Sequence, residues 1–307
     1  ADLRTNGWEL YLGWNDSFAL MGKRFNYTVS ATLGDNKTVF TKFNNPEKNL
    51  SNHYEGKVLG EIWGYRVDGL FASDEEAAEY TSKINQDAVN ERILTDKVDP
   101  YYRAGDLKFR DLDGDNVISK GDDTAYDAGD REIIGNETPR YMYSFRLGAD
   151  WNGFDLGIFF QGVGKRDWYP NYLSTGFWGP YSRAFTSFIP ENFMDQCWSE
   201  ENRDGYFPRF RGYQTFAGSQ LGVNNDRYLQ DASYIRLKNL TVGYTLPVLK
   251  KVFTKLRVYF TGENLWYWSP MLKHTKYIDP EAAGGNGNTG MAYNYSRNFS
   301  VGVDITF

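Results

Sequence analysis

The sequence is nearly without cysteine and histidine. Cys197 is the single thiol among 307 residues, and His53 and His274 are the two imidazoles. A lone thiol excludes an internal disulfide. In Asp195-Gln196-Cys197-Trp198 it has no histidine nearby to activate it, so it reads as a small buried side chain rather than a nucleophile. No H-E-x-x-H, C-x-x-C, G-x-S-x-G or P-loop pattern occurs, and no enzymatic reading has a motif behind it. A surplus of basic charge is also missing. The net charge of -6 argues against nucleic acid as a partner, because such proteins carry a basic stripe. No run of about 18 apolar residues exists, which excludes a transmembrane helix. It does not exclude a transmembrane barrel, where half of each strand faces a polar lumen. No secretory leader stands at Ala1, and a protein exported to an outer membrane needs one, so the natural N-terminus is expected upstream of this sequence.

What the sequence has in quantity is aromatic side chains, 17% of residues. Interfacial belts around a membrane protein and stacking surfaces for sugars both call for such a surplus. The second strong signal is alternation with period two in segments of about ten residues. In the last nine residues Phe299, Val301, Val303, Ile305 and Phe307 are apolar, while Ser300, Gly302, Asp304 and Thr306 are small or polar. Successive side chains of a strand point to opposite faces, so this segment has one greasy and one wet face. The pattern recurs from Trp8 to Trp14, Phe25 to Leu33, Tyr141 to Leu147, Phe154 to Gln161 and Leu256 to Thr261. Between Tyr234 and Leu246 the early apolar residues Ile235 and Leu237 are out of phase with Leu240, Val242 and Tyr244, which predicts a β-bulge near Lys238 or Asn239.

About seven long strands follow, joined alternately by short and long connections. Residues 15–24, 150–153 and 247–255 are short links; 35–139, 162–233 and 265–298 are long ones. Outer-membrane barrels sort their connections in this way, with short turns on the periplasmic side and long loops outside. The expected fold is therefore all-β, an antiparallel transmembrane barrel segment spanning residues 1–307 with no separate soluble domain. Seven strands cannot close a single-chain bacterial barrel, which uses an even number, and an open edge cannot sit in lipid. Other polypeptide is expected to complete it. Val301, Val303, Ile305, Leu256, Val258, Phe260, Leu156 and Ile158 are expected to face lipid. Glu9, Asp155, Gln161, Arg257 and Asp304 are expected to face the lumen and pack on whatever fills it.

The long connections carry local signals of their own. Ser73, followed three residues later by Glu76, is a capping-box pattern that predicts a helix over 74–85. The run from Asp111 to Asp122 places carboxylates at positions 1, 3, 5 and 12 and apolar Ile118 at position 8. Oxygen ligands at this spacing curl around Ca²⁺, with a backbone carbonyl from position 7. Asp111, Asp113, Asp115, Val117 and Asp122 form the candidate metal site, with a role in stiffening the loop. Asn116 stands where glycine is usual but tolerates a left-handed backbone. The alternative is an Asx-rich turn without an ion. The second long loop is aromatic: Trp168, Tyr169, Tyr172, Trp178 and Tyr181 are a candidate ligand or partner surface, with packing over a barrel mouth as the competing role. The glycine-rich stretch 284–290 contains G-x-G-x-x-G, but without a preceding strand and following helix it reads as a flexible loop.

Several of these segments together resemble the SusC/RagA family of TonB-dependent outer-membrane transporters. Gly105-Asp106 through Asp115, Ile134-Gly135-Asn136-Glu137-Thr138-Pro139, Gly153-Phe154-Asp155-Leu156 through Gly162, and Asp231-Ala232-Ser233-Tyr234-Ile235-Arg236-Leu237-Lys238-Asn239-Leu240 carry the likeness. Gly262-Glu263-Asn264-Leu265, Asp279-Pro280-Glu281 and terminal Phe307 extend it along the whole chain. The resemblance implies the C-terminal part of a nutrient importer, with a plug and TonB box preceding it and a SusD-like surface lipoprotein as a lid. It implies an oligosaccharide or oligopeptide as the substrate and no catalytic cofactor. A receptor or adhesin barrel that binds without import is the alternative.

Overall fold

The computed structural model describes all residues except 184, 186, 188, 217, 248–253 and 284–292. The expected flexible stretch 284–290 lies outside the described residues. Seven long strands form one antiparallel sheet in strict chain order. They are β1 (Asp2–Leu20), β2 (Lys23–Lys42), β3 (Arg140–Trp151), β4 (Phe154–Lys165), β5 (Tyr234–Leu246), β6 (Lys255–Trp268) and β7 (Asn298–Thr306).

The register turns the alternation into two faces. Val301, Phe260, Val242, Leu156, Ala149 and Tyr27 pair in one continuous row across six strands, and the next row runs Val303, Val258, Tyr244, Phe154, Trp151 and Phe25. These side chains share a face that no other described part of the chain covers; Val301 is 76% exposed. A soluble protein would bury such a surface, whereas a barrel turns it to lipid. On the other face the charges find one another. Arg257 bonds Asp304 on the neighbouring strand at 2.9 Å and reaches across β5 to Asp155 at 2.7 Å. Gly243 lies between them, and a Cβ there would come within 2.4 Å of Asp155 Oδ1. The missing side chain leaves room for the bridge.

Two hairpins are closed by tight turns, Met21-Gly22 and Asn152-Gly153, in which both residues have positive φ. This backbone twist matches that of the flanking strands, and Asn-Gly adopts it readily. The first two strands are longer than the alternation suggests. β1 continues through Asn15, Asp16 and Ser17 to Leu20, and β2 continues past Leu33 to Lys42. Asp35, where the reading of the sequence ends β2, stays in the strand because Arg140 neutralises it. The bulge in β5 is present: pairing to both neighbours shifts between Leu237 and Asn239.

All three long connections, residues 43–139, 166–233 and 269–297, leave the same end of the sheet. Among the described residues they do not lie apart. Leu107, Phe109 and Ile118 of the first, Trp178, Phe207 and Tyr228 of the second, and Met271 and Ile278 of the third belong to one buried hydrophobic cluster. The main core of the chain is therefore in its loops, beyond the end of the barrel wall. In that body α1 (Asp74–Thr81) begins as its cap predicts, with Ser73 Oγ accepting from Glu76 N–H at 3.1 Å, but it ends four residues before the expected 85.

Candidate functional site

The acidic turn in the first long loop keeps most of its expected geometry. Carboxylate oxygens of Asp111, Asp113 and Asp115 all lie within 4.8 Å of one another, close enough to hold one cation. Asp111 accepts from the N–H groups of Gly114 and Asn116, Asp113 from Asp115, and Asp115 from Val117. Asn116 has φ +68°, the left-handed backbone that position requires. Ile118 is fully buried in the loop core, and its N–H donates to the Asn85 carbonyl at 2.7 Å, which fastens the turn to the segment after α1.

Asp122 does not join this cluster. Its N–H donates to Asp127, and the neighbouring Asp123 is committed to Arg131 at 2.7 Å. The chain turns away at Gly121 (φ +54°), so position 12 is not delivered to the ion site. Asp130, outside the cluster, is fully buried and accepts from the N–H groups of Leu112 and Ser119. Burial pushes its carboxyl up from the usual range against those two hydrogen bonds, and the charges of Asp113 and Asp111 push the same way. Spacing alone could not place Asp130, because it lies beyond the motif.

The aromatic loop needs a larger correction. Trp168, Tyr169, Trp178 and Tyr181 are buried, and Tyr172 alone of the five is exposed, at 46%. Trp178 packs edge-on to Phe177 at 4.7 Å and against Tyr228 at 5.4 Å, and its indole N–H donates to the carbonyls of Pro170 and Asn171. Tyr181 donates to the Pro208 carbonyl at 2.6 Å. These four rings hold the loop body together. A ligand or partner could touch them only by opening that core, so a contact role is confined to Tyr172.

Two ion-pair clusters were not singled out from the sequence. Arg236 on β5 meets Asp279 of the third loop, both fully buried, and its Nε lies 3.0 Å from Glu281 Oε2. Lys238, the bulged residue, bonds Glu281 at 2.8 Å, and the Tyr267 ring covers the Arg236 guanidinium. The two motifs Tyr234-Ile235-Arg236-Leu237-Lys238 and Asp279-Pro280-Glu281 are thus two halves of one latch between wall and loop. In the second cluster Arg211 grips buried Asp106, joining the second loop to the first.

No protein-family model matches the chain. The chain is 30% identical over 269 residues to TonB-dependent receptor P3 of Formosa agariphila, a match covering 82% of this chain and 22% of that receptor. It is 28% identical over 216 residues to TonB-dependent receptor P26 of the same organism, covering 66% of this chain and 20% of that receptor. The chain therefore spans about a fifth of the length of these relatives. Among solved structures, that of the RagAB peptide transporter superposes with a TM-score of 0.60 over 99% of this chain and 29% of the other, at 20% identity. The RagAB peptide importer in its open-open state gives 0.59. The one-sided apolar sheet, its paired charges and its sorted loops define a stretch of transmembrane β-barrel wall with the loops that surmount it. The chain is a homologue of the TonB-dependent receptors, and its fold is that of the SusC/RagA type.

Proposed function

We propose that the chain forms one unit, wall strands plus loop body, of an outer-membrane importer driven through TonB, taking up an oligosaccharide or oligopeptide. The remaining strands and a plug would come from other parts of the same receptor, and membrane lipid would cover the apolar rows. The observation that carries this reading is the gathering of all three long loops at one end of a one-sided sheet. Such a body stands over the mouth of a lumen and is where a ligand must pass. A SusD-like lipoprotein is the proposed partner on the outer surface of the loops, where Tyr172 and other exposed rings offer contact area. The Asp111, Asp113 and Asp115 turn is proposed to hold Ca²⁺ and stiffen the first loop, with no part in chemistry.

The test is uptake of labelled oligosaccharides and oligopeptides by cells with the complete receptor, without it, and with TonB removed. Uptake that depends on both supports import. Uptake indifferent to both removes the reading, and receptor-dependent binding without uptake favours the receptor or adhesin alternative. Co-purification of a surface lipoprotein with the detergent-solubilised receptor tests the partner.

A further inference from the structure

On the lumen face, just below the loop body, the wall has a recess of about 810 Å³. The row Glu9, Gly34, Met142 and Val163 crosses its floor from β1 to β4. Gly34 carries no side chain, which keeps the floor low. At the β4 end stands Arg166, the first residue of the second long loop.

The acidic groups around this recess are either matched already or too distant to serve that arginine. Asp35 is bound to Arg140, and Glu281 to Arg236 and Lys238. Glu9 stands three strands from Val163, roughly 14 Å at the usual strand spacing, and is out of reach. Arg166 itself donates to the Pro280 carbonyl at 3.4 Å, while its Nε is buried with no hydrogen-bond partner among the described residues. No carboxylate among the described residues lies within 4.0 Å of it, and none of the remaining residues of the chain is Asp or Glu. Burial pushes its pKa down, with Tyr234 and Glu137 acting only at longer range to hold it up. The side chain is only half-buried, but its Nε–H is withdrawn from water with neither a hydrogen-bond partner nor an adjacent counter-charge, which costs free energy, and the planar fork of a guanidinium matches a carboxylate in two parallel hydrogen bonds.

We propose that this end of the recess is a carboxylate-binding site, in which Arg166 grips a carboxylate supplied from outside the chain. Two sources share that chemistry. One is a diffusible acidic ligand, such as a uronate or an acidic peptide in transit, and this case rests on the import reading above. The other is an Asp or Glu of the polypeptide that completes the receptor and packs against the wall.

The test uses the complete receptor, as wild type, Arg166→Gln and Arg166→Lys. Calorimetry compares triglutamate with triglutamine, and trigalacturonate with its neutral galactose trimer. A diffusible source predicts that wild type prefers an acidic probe by ~10- to 100-fold, that Arg166→Gln abolishes the preference and that Arg166→Lys keeps part of it. If no probe shows a preference, a structure of the complete receptor must show one of its own carboxylates on Arg166, which supports the second source. Absence of both overturns the proposal. Transport is read separately by uptake: a preference surviving without TonB-dependent uptake sinks the import reading and leaves the site standing. Normal uptake with no carboxylate at Arg166 does the reverse.

Discussion

Truncating Trp178 to alanine separates the two roles an aromatic loop can have. The side chain is fully buried and touches Phe177, Tyr228, Tyr169 and Phe207. Removing a buried tryptophan costs ~3–5 kcal/mol, because the cavity closes only partly. Loss of the indole donor to the Pro170 and Asn171 carbonyls adds ~1 kcal/mol. The total, ~4–6 kcal/mol, is comparable to the whole stability of a small domain, ~5–15 kcal/mol. The loop body should lose its order while the wall, held by ladder hydrogen bonds and lipid, remains. Hydrogen exchange on the complete receptor in lipid would read both regions at once. In Trp178→Ala, amides around residues 166–233 should exchange at least 100-fold faster, and those of β5 and β6 should be unchanged. Tyr172→Ala, at an exposed ring, should leave exchange as it was. If Trp178→Ala keeps full protection in the loops yet weakens ligand or partner binding, the ring is a contact residue and the burial argument is refuted.

Three further outcomes follow from particular groups. Asp111→Asn and Asp113→Asn should each weaken Ca²⁺ binding by at least tenfold in calorimetry, and metal analysis that finds no ion on wild type in Ca²⁺ buffer would reject the site. His274, stacked on Tyr206 at 3.5 Å, is held down to about 4 from 6.5, chiefly by burial and then by Lys273 and Arg227. Its folded pKa lies below the unfolded one, so its contribution is complete above pH 6.5 and fades as pH falls from 6.5 towards 4. The full shift corresponds to ~3 kcal/mol, and because the ring stays half-exposed and water screens part of this, the loop body should lose ~1–2 kcal/mol across that window, and His274→Phe should flatten this part of the melting profile. Gly243→Ala should cost ~1–2 kcal/mol by displacing Asp155 and Arg257, seen as a lower temperature for barrel unfolding on heated gels; an unchanged temperature would show that the bridge does not need the gap.

Much of the wall was legible in the sequence because a strand's two faces are written residue by residue. The phase of all seven strands, the bulge between Leu237 and Asn239, the Asn152-Gly153 turn and the Ser73 cap each rest on neighbours in the chain. Strand length was less legible: Asn15, Asp16 and Asp35 look like loop residues until their partners on β2 and β3 are in place. The carboxylate spacing from Asp111 to Asp115 gave a real cluster, since a tight turn is local, but Asp122 was lost to it, and the buried Asp130 that holds the backbone of Leu112 and Ser119 lies beyond the motif. Only the tertiary structure decided which rings are buried. Trp178 and Tyr181 look like Tyr172 in sequence, and they differ because three loops from one end of the sheet close over the first two and leave the third in water. The same holds for Arg166: the chain specifies its charge, and only the packing of the wall around it shows that no carboxylate among the described residues is there to meet it.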